Sequence, residues 1–289
     1  GVAHFMADDE KECLDMIKVL LSYLPQNNLE NPPYQAADSP SRETKRLQDI
    51  VPEDQKKAYD IKDVITEIFD KKTFFEVQEN YAENAVVGFA RLNGNAVGIV
   101  ANQPKVLAGC LDINSSDKIA RFVRFCDAFN IPIINLVDVT GYLPGTGQEH
   151  NGIIRHGAKI LFAYSEATVP KISLVLRKAY GGAYIALVSK DMGFDKVIAW
   201  PIAEIAVMGA EQAVSIVNRD EIIKNPKAKS ELAQQYTEKY LNPYISASLG
   251  KVDMVIDPKD TRIALIKCLE MVISKREKRP AKKHANMPL

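Results

Sequence analysis

Two glycine-bearing stretches hold the residues best suited to chemistry. One is Gly141-Tyr142-Leu143-Pro144-Gly145-Thr146-Gly147, the other Tyr180-Gly181-Gly182-Ala183-Tyr184. Each falls between a predicted strand and a predicted helix. A junction of that kind turns backbone N–H groups outward at a helix N-terminus, which favours an anion or a developing oxyanion. The first stretch lacks the Lys-Ser/Thr of a nucleotide-phosphate loop, and His150 stands where a dinucleotide fingerprint needs its third glycine. In the second, small residues at 181–183 let a ligand approach the main chain closely. The N–H groups of Gly182 and Ala183 lie near the positive end of the helix predicted to follow, where the first turn has no internal acceptor for them. On the residues alone, plain turn chemistry stays open as the other explanation.

Other candidates are weaker. Asp138 ends a predicted strand just before the first glycine stretch, a common position for active-site groups in open α/β sheets. Its competing role is to cap loop amides. His150 and His156 are six apart, which misses the three- or four-residue spacing of a helical metal pair, so no metal is expected. No serine lies in a Gly-x-Ser-x-Gly elbow. Glu149 and Glu166 read as helix-surface or helix-end residues, and no carboxylate pair stands out as general acid and base. Cys13, Cys110, Cys126 and Cys268 are too scattered for a zinc knuckle or a redox pair. They read as small buried hydrophobes in a reducing compartment.

The elements that must position these residues follow from periodicity. Leu14, Ile17, Leu20, Leu21 and Leu24 predict a helix over 9–24, stopped by Pro25. Residues 26–52 turn polar, with Asn27, Asn28, Pro32, Pro33 and Pro40, and predict a linker or an extended surface crossing. A helix is predicted over 61–69 with Asp60 as N-cap. Strands over 85–92 and 95–101 flank Asn93-Gly94, a strong type I′ hairpin signal. Helices over 119–129, 153–165 and 184–190 then alternate with apolar strands over 132–139, 170–176, 196–200 and 204–208. Further helices are predicted from 210, over 226–240 and over 261–275, before a basic tail read as solvated. Strand, glycine junction, helix, repeated, is the grammar of an α/β architecture.

Composition narrows the function classes. The chain has 289 residues, with 37 Lys+Arg against 37 Asp+Glu. A net charge of zero argues against nucleic acid as the main partner. No apolar run approaches the roughly 18 residues of a membrane span. The first residues lack the basic and apolar regions of a signal peptide, and the first methionine is Met6.

Longer ordered strings carry a resemblance. Val137-Asp138-Val139-Thr140 with the first glycine stretch and Gln148-Glu149, and Arg177-Lys178-Ala179 with the second, resemble the biotin-dependent acyl-CoA carboxyltransferases. So do segments 109–116, 122–127, 152–159, 199–210 and 282–286. The group includes propionyl-CoA carboxylase β chains, methylmalonyl-CoA and glutaconyl-CoA decarboxylase α chains, and methylmalonyl-CoA carboxyltransferase.

The resemblance implies a crotonase-like α/β domain of repeated β-β-α units, the second of two in tandem. Residues 1–25 would be a remnant of the last helix of the N-terminal carboxyltransferase domain, 26–58 a linker, and 59–289 the C-terminal domain. It implies carboxyl transfer between carboxybiotin and a propionyl- or methylmalonyl-CoA-class substrate, this chain supplying the biotin side. Residue by residue, Gly182 and Ala183 would form the oxyanion hole for the biotin ureido oxygen. Tyr142, Gly145, Thr146, Gly147, Tyr180 and Gly181 would contact the cofactor. Ile185 stands where related propionyl-CoA carboxylases carry aspartate and would bear on substrate choice, leaning toward the decarboxylase and transcarboxylase members. The implied partners are a biotin carboxyl carrier protein or domain, a biotin carboxylase subunit or membrane decarboxylase subunits, and further copies in a hexamer. The implied compartment is the bacterial cytoplasm, or the mitochondrial matrix in a eukaryote. As an isolated fragment the chain would be inactive, a binding and assembly module.

Overall fold

The computed structural model describes residues 1–27, 29–35 and 38–288. Asn28 of the polar segment, Ala36 and Ala37 of the predicted linker, and Leu289 at the end of the predicted second domain lie outside the described residues. Helix α1 (Glu10–Tyr23) begins where the Asp9 carboxylate accepts from the Glu12 amide at 2.8 Å. Leu20 and Leu24 pack on the core, while Leu14, Ile17 and Leu21 of the predicted apolar face are exposed. Periodicity reports which residues share a helix face and says nothing about what covers it.

The polar stretch after α1 crosses the surface but is anchored within it. Its short helix α2 (Leu47–Ile50) buries Leu47, and Val51 follows into the same core. The buried Thr44 binds back to the far end of the chain, its amide donating to the Lys259 carbonyl at 2.8 Å. Helix α3 (Ile61–Ile68) has the predicted Asp60 cap and buries Ile61, Val64, Ile65 and Ile68.

Strands β1 (Phe75–Val77), β2 (Ala85–Leu92) and β3 (Asn95–Asn102) pair antiparallel. The β2–β3 turn has Asn93 at φ 49° and Gly94 at φ 78°, the two positive angles that a type I′ hairpin requires. Helix α4 (Ile113–Ala128) starts six residues before its predicted start. Asp112 and Ser115 form a capping box there, and Ser115, Ser116 and Lys118 are buried, so polar residues hid the first turns from a hydrophobicity pattern. Then come β4 (Ile133–Val139), α5 (Thr146–His150), α6 (Ile153–Glu166), β5 (Lys171–Tyr180) and α7 (Gly181–Leu187). They are followed by β6 (Lys196–Ala199), β7 (Glu204–Ala206), α8 (Ala210–Val217), α9 (Arg219–Lys224) and α10 (Ala228–Tyr240). Helix α11 (Pro243–Ser248), β8 (Met254–Val255) and α12 (Thr261–Val272) complete the order.

The strands form one sheet in the order β1-β2-β3-β4-β5-β6-β8, with β7 pairing alongside the end of β5. From β3 onward every pairing is parallel. A parallel sheet must be covered on both faces, and two separate hydrophobic cores do this. Residues of β2, β4 and β5 with Ile119, Val123, Ile160 and Ala183 fill one. Ile61, Ile65, Trp200, Leu265 and Leu269 cover the other. The basic tail is not freely solvated along its length. Lys282 pairs with Glu166 at 2.6 Å, and Asn286 donates to the Phe162 carbonyl at 3.1 Å.

Candidate active site

Strands β4 and β5 are parallel neighbours, and each runs at its carboxyl end into one of the two glycine-bearing junctions. That edge is where open α/β sheets place their ligands. The ladder between them is regular up to Val137 opposite Val175, then jumps to Val139 opposite Ala179. Asp138 fills the irregularity and is fully buried. One carboxylate oxygen accepts from the Lys178 amide of β5 at 3.2 Å, a strand amide where a loop amide was expected. The other takes the Arg177 guanidinium at 2.9 Å, a buried ion pair that the sequence did not announce. Arg177 then donates to the carbonyls of Pro52, Asp54 and Lys57, strapping that crossing over the strand ends.

The second junction contains no loop. Strand β5 continues to Tyr180 and helix α7 starts at Gly181, so the predicted strand end at 176 and the predicted helix over 184–190 are both displaced. Gly181 makes the change in one step, at φ +58°. A Cβ there would stand 3.1 Å from the Val207 carbonyl oxygen. Gly182 and Ala183 are therefore the second and third residues of the helix, and their N–H groups belong to the turn that lacks internal acceptors. The far end of α7 is fixed from within the core. The Leu187 carbonyl accepts from Asn135 Nδ2 at 2.7 Å and from Ser173 Oγ at 2.6 Å. Buried Tyr164 in turn donates to Asn135 Oδ1 at 2.7 Å.

At the first junction, Leu111 accepts the Leu143 amide at 2.7 Å and donates to the Gly141 carbonyl at 3.0 Å, holding Tyr142 between. The Tyr142 hydroxyl donates to the Gly157 carbonyl at 3.2 Å on α6. Its ring lies beside α7, 3.5 Å from where a Cβ on Gly182 would be. Burial pushes the Tyr142 phenol well above its ordinary pKa, so it is a neutral wall at physiological pH. Gly145, at φ +132°, is the N-cap of α5, and Gly145, Thr146 and Gly147 are exposed. Apart from the adjoining chain, no described heavy atom stands within 4 Å of a Cβ built on either glycine. Tyr180, the N-cap of α7, donates its hydroxyl to the Glu204 carboxylate. Burial raises the pKa of both groups. Ile185 follows on α7 with 47% of its surface exposed.

The structure thus brings Tyr142, Gly182 and Ala183 against one another, with Tyr180 and Gly181 at the turn and Gly145–Gly147 on an open rim. It leaves the histidines elsewhere. His156 pairs with Asp117 at 2.9 Å, and His150 is exposed. Among the described residues no group of three or more His, Cys, Asp or Glu side chains is placed to hold a metal ion. Cys126 and Cys268 are buried as read from the sequence, Cys110 is half-buried and Cys13 is exposed. The residues missed were Asn135, Ser173, Arg177 and Glu204. The first three are polar groups interrupting apolar strand runs, which is a readable signal, since buried polar groups need partners. Glu204 had no such signal.

The parallel sheet, its covered faces and the glycine turns at the ends of β4 and β5 define a crotonase-like α/β domain. Comparison with known proteins makes this specific. The chain belongs to the carboxyl transferase domain family, whose model matches residues 1–287. It is 57% identical over 293 residues to the carboxyltransferase subunit of propionyl-CoA carboxylase from Haloferax mediterranei, covering all of this chain and 57% of that one. It is 54% identical over 290 residues to the methylmalonyl-CoA decarboxylase α subunit of Veillonella parvula, covering 100% and 56%. A solved transcarboxylase 12S structure, a hexamer assembly with methylmalonyl-CoA bound, superposes with a TM-score of 0.95 at 55% identity, covering 99% of this chain and 56% of that one. The chain spans a little over half the length of the curated relatives it matches. Among the described residues, no helix is long and apolar enough to cross a membrane.

Proposed function

We propose that this chain supplies the biotin-side half of an acyl-CoA carboxyltransferase active site, acting on a propionyl- or methylmalonyl-CoA-class substrate. The observation that carries the reading is the strand-to-helix turn at Gly181, which offers the Gly182 and Ala183 amides beside the Tyr142 ring. The cradle fits a flat, neutral ring system. It has no side-chain bulk at 181 or 182, an apolar aromatic wall, and two adjacent donors.

When bound, carboxybiotin supplies the transferable carboxyl group and a ureido oxygen on which negative charge develops as that group leaves. On this reading the Gly182 and Ala183 amides would donate to that oxygen. Asn135 and Ser173 fix the carboxyl end of α7, and each donor at its amino end is worth about 3 kcal/mol of barrier by analogy with other oxyanion holes. Tyr142 excludes water from one side and so strengthens both hydrogen bonds. The groups of this chain hold and orient, and none needs to act as a general base. Tyr180, Gly145, Thr146 and Gly147 would flank the cofactor, and Ile185 would present an apolar edge to the acyl group.

On this reading the partners are a biotin carboxyl carrier, a biotin carboxylase subunit or membrane decarboxylase subunits, and further copies of the chain in a hexamer. The compartment would be the bacterial cytoplasm, or the mitochondrial matrix in a eukaryote. The test is transfer between biotin and propionyl-CoA or methylmalonyl-CoA by the full-length protein. Gly182→Pro deletes one donor and should abolish transfer while the thermal midpoint stays near that of the parent. Unchanged turnover would remove the oxyanion assignment. The isolated chain, given free biotin and methylmalonyl-CoA, should turn over negligibly.

A further inference from the structure

Helix α7 has two ends that are held by different means. Its carboxyl end is locked inside the core through Asn135, Ser173 and Tyr164. Its amino end, which carries the Gly182 and Ala183 amides, rests on strand β7. That strand has only three residues and, among the described residues, pairs with β5 alone, Tyr180 lying opposite Ala206. The Val207 carbonyl that follows lies directly under Gly181. So short a ladder provides few backbone bonds to fix its position along β5.

A side-chain bond closes the gap. The Tyr180 hydroxyl reaches the Glu204 carboxylate at the start of β7, and its ring also packs near Gly209 at the start of α8. Both partners are only half-buried, and Glu204 faces Lys178, Arg177 and Asp138 besides Tyr180. A carboxylate in that setting costs desolvation and adds no apolar packing, so fold stability does not explain its presence.

We infer that Glu204 is a positioning residue: through Tyr180 it fixes β7 beneath Gly181 and so aims the Gly182 and Ala183 amides. The inference rests on the oxyanion reading and adds to it the residue that sets the donors' direction. It predicts a sensitivity that the locked carboxyl end of α7 does not share. Burial holds the Glu204 pKa above the ordinary glutamate value, so its protonation on acidification weakens the acceptor and lowers activity in an acid limb.

The experiment compares Tyr180→Phe, Glu204→Gln, the double variant and Gly182→Pro in the full-length protein. Readouts are kcat and KM for acyl-CoA, thermal midpoint, and the pH profile of kcat. Both single variants should lose about tenfold to a hundredfold in kcat, the scale of a misplaced catalytic group, with KM unchanged. The double variant should be no worse than either single one. Glu204→Gln should melt at or above the parent temperature and lose the acid limb, and Tyr180→Phe should move that limb to higher pH. If Gly182→Pro abolishes transfer while Tyr180→Phe and Glu204→Gln leave kcat unchanged, the positioning role is wrong and the oxyanion reading stands. Additive losses, or losses that track a falling midpoint, also overturn it. If Gly182→Pro retains full turnover, both readings fall together.

Discussion

The two glycine junctions share one sequence grammar and reach opposite structural ends. After β4 the chain wanders through an exposed rim, and its glycines at 145 and 147 have empty space around the missing side chain. After β5 there is no excursion at all, and the glycine at 181 is pressed against a neighbouring carbonyl. Glycine therefore does two different jobs here. On the rim it relaxes the chain around a helix start. At the strand end it permits a reversal that puts two amides beside an aromatic wall. Gly145 needs glycine for its φ of +132° alone, whereas Gly181 needs it for both its angle and the neighbouring carbonyl.

That contrast can be broken or sharpened by substitution. The largest expected effect is Gly182→Pro, which removes a donor without touching the core and should cost about a hundredfold to a thousandfold in kcat for transfer to biotin. Next is Gly181→Ala. A Cβ at φ +58° carries a left-handed penalty of about 1–2 kcal/mol. With the Val207 carbonyl 3.1 Å away, chemical denaturation should show at least that loss, together with lost turnover. Gly157→Ala tests the wall itself. Its Cβ would fall 2.7 Å from the Tyr142 ring, pushing Tyr142 toward the donors. Helix propensity offsets part of the strain by about 1 kcal/mol, so activity should fall several-fold more than stability predicts. A matched loss of both would make Tyr142 merely a packing residue. Smallest is Gly147→Ala, inside α5 with nothing within 4 Å. It should stabilise by up to about 1 kcal/mol in a denaturant melt, and because residue 147 would flank the cofactor it should lower turnover, by less than any of the other three. Unchanged turnover there would take residue 147 out of the cofactor contact.

Much of the architecture was legible because its signals are local. The Asn93-Gly94 hairpin, the Asp60 cap with its Ile61, Val64, Ile65 and Ile68 face, and the strand over 133–139 are set by residues next to one another. Misreadings came where polar residues carry structure. Ser115, Ser116 and Lys118 conceal the start of α4, and the buried Lys118 spends its ammonium on the carbonyls of Gln78, Tyr81 and Ala85. Arg262 likewise pairs with Asp70, far away in sequence, at 2.6 Å. Such partners satisfy one another across the fold, and no spacing rule relates them.

The sequence by itself determined an α/β domain, the order of its longer strands and helices, and the pair of glycine stretches whose longer strings resemble the carboxyltransferases. Those properties depend on periodicity, turn angles and residue size, all written within a few positions. The tertiary structure alone decided which glycines matter and where the amides point. It placed Tyr142 against Gly182, fixed Leu187 through Asn135 and Ser173, and set Glu204 on Tyr180. Each of these is a contact between distant segments, and the direction of a hydrogen-bond donor is a property of how segments pack.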